Sequence, residues 1–172
     1  MHADSSASEG SQTEPVSTGD EPPEPFHLQT PAGFVPADHK WLSDHLDQLQ
    51  GHLPREVEQI NIRLLDDAGM SELHLQWKGL EGPTDVLSWF HSSGDQPLEA
   101  DLAVGHEVAA REAALRGHPV RQELLLYIVH GILHGCGFDD LVPEAAARMH
   151  AEEDRILALL GVEATYTREA SE

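Results

Sequence analysis

The sequence predicts an α/β fold, a small mixed sheet of about four strands packed with about five helices, and three observations carry that expectation. Val57 to Leu64 alternates apolar and polar residues at period two, the pattern of a half-buried strand. Asp85 to Phe90 and Leu98 to Val104 are two more strand-like runs on either side of Ser92-Ser93-Gly94-Asp95, a turn-forming cluster, so they should pair antiparallel. Segments of helical spacing alternate with these runs. The most apolar of them, Glu123 to Leu133, carries Leu124, Leu125, Leu126, Ile128, Val129, Ile132 and Leu133 around its circumference and reads as a buried central helix.

The remaining elements follow in chain order. Residues 1–25 are rich in Ser, Glu, Pro and Gly and hold hardly a large apolar side chain, so they cannot offset their ordering entropy and are expected to form a disordered acidic extension. A single domain is expected over residues 26–162, with a short flexible tail at 163–172. Phe26 to Leu28 begins a first short strand. From Asp38, the set Trp41, Leu42, His45, Leu46 and Leu49 has helical spacing, with Gly51 as a stop. After the strand at 57–64, Asp66 and Asp67 offer an N-cap to a second amphipathic helix with Met70, Leu73 and Trp77 on its apolar face, and the loop Gly79 to Pro83 follows. A third helix runs from about Glu107 to Arg116 and ends at Gly117, and a last one from Pro143 to Leu160 ends at Gly161.

Composition narrows the function classes. Thirty-one acids against ten bases give a formal charge of −21, and after the six acids of residues 1–25 are set aside the rest still holds 25 acids against ten bases. A chain that grips nucleic acid through a general basic surface has the opposite balance, so any RNA substrate needs a local positive patch or a metal. The lone Cys136 cannot form an internal disulfide, and nothing points to an oxidising compartment. No run of 18 apolar residues and no basic start followed by an apolar block is present, which reads as a cytoplasmic chain without a membrane partner.

The chemistry concentrates in His130-Gly-Ile-Leu-His134-Gly-Cys-Gly-Phe-Asp-Asp140. With 12 histidines in 172 residues, about one pair four apart is expected by chance, so spacing alone means little. Context raises it. On a buried helix the two imidazoles lie on one face, roughly 6 Å apart along the axis, and buried imidazoles need either two separate partners or one shared ion. Gly135 and Gly137 would stop the helix and turn the chain, bringing Asp139 or Asp140 beneath the pair. Two imidazoles and a carboxylate suit zinc and leave a fourth position for water. Cys136 is a possible fourth ligand, though a small buried residue at a helix end explains it as well. Gly131 stands where a zinc peptidase of the H-E-x-x-H type carries its general-base glutamate, which speaks against peptidase chemistry.

Two segments resemble the YbeY endoribonucleases, zinc-dependent enzymes of bacterial ribosomal RNA maturation. Pro83-Thr-Asp-Val-Leu-Ser88 is similar to the family's P-T-D-V-L-S-F signature, and His130-Gly-Ile-Leu-His134 with Gly137-Phe138-Asp139-Asp140 is similar to H-G-x-L-H-L-x-G-Y-D-H. Weaker agreement comes from Ile62 to Asp67, Glu107 to Arg111 and the stretch from Arg148 to Leu157, so the resemblance spans roughly Val57 to Gly161. It implies one zinc ion held by His130, His134 and, at the position of the family's third histidine, Asp140. A carboxylate there lowers the charge of the ligand set and should leave bound water less acidic than three neutral imidazoles would. Lys78 aligns with an arginine thought to contact phosphate; lysine keeps the charge and loses the two-pronged fork, while a solvated lysine at a helix end is the plain alternative.

The resemblance further implies single-stranded ribosomal RNA as substrate, the ribosome as partner, and zinc-assisted phosphodiester hydrolysis in small-subunit 3′-end maturation and ribosome quality control. His74 and Trp89-Phe90 also depart from the family pattern and read as packing or local-turn changes. Asp85 and Asp101 come from strand segments near the site by the same analogy, with capping or turn roles as the competing expectation. His91 could approach the metal, against the commoner expectation of a surface histidine. A different class stays open beside the nuclease: a ribosome-associated factor that metal stabilises and that catalyses little. A zinc peptidase-type hydrolase is a weaker alternative.

Overall fold

The computed structural model describes residues 24–163; the acidic segment 1–23 and residues 164–172 lie outside the described residues. Among the described residues four strands and five helices follow in the order β1 (Phe26–Gln29), α1 (Pro36–Leu49), β2 (Val57–Leu65), α2 (Asp67–Lys78), β3 (Val86–Phe90), β4 (Leu98–Gly105), α3 (His106–Arg116), α4 (Val120–Gly135) and α5 (Pro143–Leu159), with a short 3-10 turn at Gln50–His52. The sheet order is β1-β2-β4-β3; β1, β2 and β4 run parallel and β3 pairs antiparallel with β4. It is the mixed α/β architecture expected from the strand periodicities.

Strand parity divides the side chains between two helical layers. From β4, Leu98, Ala100, Leu102 and Val104 enter the main core with Leu42, Leu46 and Leu49 of α1 and the apolar residues of α4. The neighbouring Ala103 points the other way, into a small second core with Met70 of α2 and Leu87 of β3. One face of the sheet therefore carries α1 and α4, and the opposite face carries α2. α4 packs against β3, β4, α1, α3 and α5, which is why Leu124 to Val129 are buried whichever way they point.

Local signals set the element ends. Asp66 caps α2 by accepting from the Gly69 N–H at 2.8 Å, while its neighbour Asp67 instead pairs with Arg111 of α3, with Arg111 Nη1 2.7 Å from Asp67 Oδ2. Gly79 and Gly117 close α2 and α3 in left-handed conformation, at φ 68° and 73°. α4 is longer than Glu123 to Leu133 because Pro119 serves as its N-cap residue and the helix continues to Gly135. No helix among the described residues is long and apolar enough to cross a membrane.

One glycine fixes how closely α4 approaches the sheet. A Cβ at Gly131 would lie 2.9 Å from Ser88 Oγ and 3.0 Å from side-chain carbons of both Leu102 and Val86. Residue 131 thus faces the sheet, and Ser88 Oγ donates to the Gly131 carbonyl at 3.3 Å. The glycine lets the helix seat directly on β3 and β4, and so sets how far the adjoining His130 and His134 stand from the end of β3.

Candidate metal centre

His130 and His134 stand one turn apart near the C-terminus of α4, with their rings edge to face at 88° and their Nε2 atoms 3.1 Å apart. Beyond Gly135 the chain turns through Gly137, at φ 94°, and brings Asp140 back beneath them. Asp140 Oδ2 lies 3.6 Å from His130 Nε2 and 3.9 Å from His134 Nε2. Ligands at zinc distances of about 2.0–2.1 Å in a tetrahedral arrangement are separated from one another by roughly 3.3 Å, so the three atoms have the spacing of a metal's ligand set. Among the described residues His130, His134 and Asp140 form a group able to hold a metal ion. Asp139 is not part of it; its Oδ1 accepts the Leu141 N–H at 3.0 Å in a local turn.

The far side of each ring explains why both Nε2 atoms are free to point inward. His134 Nδ1 lies 3.2 Å from the Phe138 carbonyl, a group that only accepts, so Nδ1 carries the proton and Nε2 the lone pair. His130 Nδ1 lies 2.6 Å from Glu153 Oε1, and the fully buried Glu153 reaches it from α5. A carboxylate behind a ligating histidine fixes the tautomer and raises the basicity of the ring. Burial alone would lower the pKa of His130, but the hydrogen bond and charge of Glu153, with the charges of Asp85 and Asp140, outweigh it and raise the value. Two half-buried imidazole nitrogens face each other at 3.1 Å, and either a proton shared between them or a cation at their meeting point satisfies both lone pairs.

Beside His130 a recess of about 400 Å3 opens between β3, α3 and α4, lined by Thr84, Asp85, Glu112, Arg116 and Tyr127 among others. Asp85 Oδ1 accepts from its own neighbours, the Val86 N–H at 2.7 Å and the Thr84 hydroxyl at 3.0 Å, so the expected turn role holds while the residue also borders the site. Deeper in, Glu123 is fully buried, with Arg116 Nη1 2.9 Å from Oε1 and His118 Nε2 2.9 Å from Oε2. Burial raises the Glu123 pKa against the opposing pull of Arg116 and His118.

Other residues singled out from the sequence lie elsewhere. Asp101 is a correction to its expected nearness: its side chain leaves β4 on the α2 face, where it accepts from Asn61 at 2.8 Å and meets His91 Nε2 at 2.7 Å. His91 accordingly does not approach the trio and is half exposed. Cys136 stays out of the cluster; it is half-buried at the end of α4, and burial pushes its thiol up to about 11. Lys78 is the exposed last residue of α2, joined to β3 by the loop that contains Thr84 and Asp85. His74 turns inward to the same loop, with Nδ1 2.9 Å from the Gly82 carbonyl, and Trp89 packs edge to face on Trp77, so both behave as the local-turn and packing changes expected of them.

The family profile described as Endoribonuclease YbeY matches residues 35–161. The chain belongs to the YbeY endoribonuclease family. The YbeY protein of Methylocella silvestris is 37% identical over 124 residues, 70% of this chain and 69% of that protein. The YbeY protein of Mycobacterium tuberculosis is 36% identical over 110 residues, 58% of this chain and 62% of its own length, so the match spans less than two thirds of the mycobacterial protein. The solution structure of TM1509 from Thermotoga maritima shares the fold, with a TM-score of 0.53 at 20% identity over 78% of this chain and 90% of that one. Both signature segments of the YbeY resemblance meet in space, since Ser88 of one contacts Gly131 of the other and Asp85 borders the recess at His130.

Proposed function

We propose that this chain is a cytoplasmic, single-strand-specific metallo-endoribonuclease that acts with the ribosome in 3′-end maturation of small-subunit RNA and in ribosome quality control, using one zinc ion held by His130, His134 and Asp140. The observation that carries the reading is the convergence of two imidazole Nε2 lone pairs 3.1 Å apart with a carboxylate oxygen beside them, each ring pinned from behind. When bound, zinc supplies Lewis acidity toward a phosphodiester and makes water more acidic. The protein's own groups do the rest. Glu153 and the Phe138 carbonyl hold the imidazoles in the ligating tautomer. Asp85, within electrostatic reach of His130, is the carboxylate best situated to accept a proton at the rim of the recess. Lys78, the exposed last residue of α2, would offset negative charge on the substrate phosphate, a role that rests on its match to the family's arginine.

Peptidase chemistry of the H-E-x-x-H kind has no place for its base, because even a Cβ at residue 131 would come within 2.9–3.0 Å of Ser88, Leu102 and Val86. Asp140 would add a negative charge to the ligand set and so would make a bound metal a weaker Lewis acid than three neutral imidazoles would. Metal analysis beside cleavage of single-stranded RNA by the wild type, His134→Ala and Asp140→His tests the reading. The expected result is about one zinc per chain and cleavage in the wild type, loss of both in His134→Ala, and faster cleavage in Asp140→His. Zinc in the wild type with the same background cleavage from all three proteins would sink the nuclease and favour a metal-stabilised binding factor.

A further inference from the structure

The face of the sheet opposite the histidines carries a second site. Cross-strand register places Gln29, Arg63 and Ala103 in one row and Asn61, Asp101 and Trp89 in the next. α2 covers only part of this face, through Met70 and Leu73, and leaves an open groove of about 610 Å3 beside it. Its wall is aromatic. Trp77 of α2, 57% exposed, stands edge to face with Trp89 of β3, with ring centroids 5.7 Å apart. Its floor at Ala103 has no side chain beyond Cβ, which is what leaves space between Trp89 and Arg63.

The polar groups around that space are unequal. The Asp101 carboxylate is already held by the Asn61 amide and His91, and these hydrogen bonds keep it ionised and directed toward them. Arg63, exposed at the rim, has no hydrogen bond or ion pair among the described residues. On a chain of net charge −21, this guanidinium lines the same groove as both tryptophans, and its charge acts on the Asp101 carboxylate without a direct ion pair. A flat aromatic ring stacks on an exposed indole, and a guanidinium takes a phosphate by a two-pronged contact; a ligand that needs both within one small groove carries a ring and a phosphate a few ångströms apart. Nucleotides have that form, and unpaired bases in RNA are bound in this manner, by stacking on aromatics with hydrogen bonds to their edges.

We propose that the groove between α2 and the sheet binds one nucleoside monophosphate unit, with its base against Trp77 and Trp89, its phosphate on Arg63 and the Gln29 amide at the base edge. The unit is either free or part of an RNA strand that continues toward the metal centre on the other face. The choice of RNA as that strand rests on the nuclease reading, whereas the groove's chemistry does not.

The test is tryptophan fluorescence and calorimetric titration of the full chain with AMP, with a five-nucleotide single-stranded RNA, and with inorganic phosphate. AMP or the RNA should bind and quench fluorescence, about tenfold more weakly in Trp77→Ala and in Arg63→Ala, and with unchanged affinity for AMP in His134→Ala. Binding of the RNA without AMP identifies a strand as the occupant, and binding of AMP without the RNA identifies the free nucleotide; either supports the site. Failure of both to bind, equal binding by wild type and both groove variants, or inorganic phosphate binding as tightly as AMP would overturn it. Trp77 and Arg63 are both exposed, and circular dichroism of the two variants verifies their folding. If the wild type binds AMP but cleaves no RNA, the nuclease reading fails and the groove stands; if it cleaves RNA with no binding in the groove, the reverse holds.

Discussion

Replacing Glu153 by glutamine keeps the shape of the side chain and removes its charge at the atom that meets His130 Nδ1 at 2.6 Å. A hydrogen bond to an ionised partner is worth about 1.5–3 kcal/mol and one between neutral groups about 0.5–1.5, so the substitution loses on the order of 1–2 kcal/mol of support for the ligating ring. Glutamine can also rotate its NH2 toward Nδ1, and a donor there reverses the tautomer and turns the Nε2 lone pair into an N–H. Both effects act on zinc affinity, which should fall about 10-fold or more, within the range of about 10–100-fold that carboxylate partners of metal-binding histidines show. Competition with a chromophoric chelator at pH 7.5 measures it. Glu144→Gln is the control, since it makes the same charge change at an exposed position in the first turn of the same helix. A folded Glu153→Gln protein that binds zinc as tightly as the wild type and the control would refute the positioning role.

Four further outcomes follow from the same structure. Because His130 has a raised pKa and its second proton resides on the ligating Nε2, zinc affinity should drop about tenfold per pH unit below that raised value and level off above it, read by chelator competition across pH 5.5–8.5. For the metal-free protein the sign is opposite: charged His130 adds stability that is fully present below the ordinary value of 6.5 and lost as pH rises through the raised one, so chelated protein should gain from acidification where zinc-loaded protein loses. Gly131→Ala should destabilise by about 1–3 kcal/mol through overpacking against Ser88, Val86 and Leu102, a fall in Tm of about 3–9 °C. Glu123→Ala should cost about 1–3 kcal/mol in urea unfolding, since it removes the carboxylate that the buried His118 meets, while Arg116 keeps Glu112 as a partner.

Periodicity carried most of the fold. The period-two run at 57–64 became β2, the two runs around Ser92 to Asp95 became the antiparallel pair, and the continuous apolar segment became the central helix, because in each case burial acts on the pattern that the sequence displays. The histidine pair was legible for the same reason. Whether Asp139 or Asp140 stands beside it depended on how the chain leaves Gly137, and the structure brings Asp140 to the rings while Asp139 turns on its own backbone. Glu153 was not read from the sequence, although a signal existed: it falls at i+4 from Met149 and i−4 from Leu157, so an acid occupies the buried stripe of α5. Glu123, four residues before Tyr127 in the most apolar helix, carried a similar signal. The analogy that put Asp101 near the site did not take account of which face of β4 it leaves. Its neighbours Ala100 and Leu102 face α4, and strand parity alone sends residue 101 to the opposite side.

The most direct measurement is cleavage of a single-stranded RNA by protein stripped with chelator and then titrated with zinc. The account predicts that activity disappears on stripping, returns in proportion to added metal and saturates near one equivalent, with no recovery in His134→Ala. Cleavage that survives complete removal of metal, or that returns equally in His134→Ala, would contradict a reaction centred on His130, His134 and Asp140.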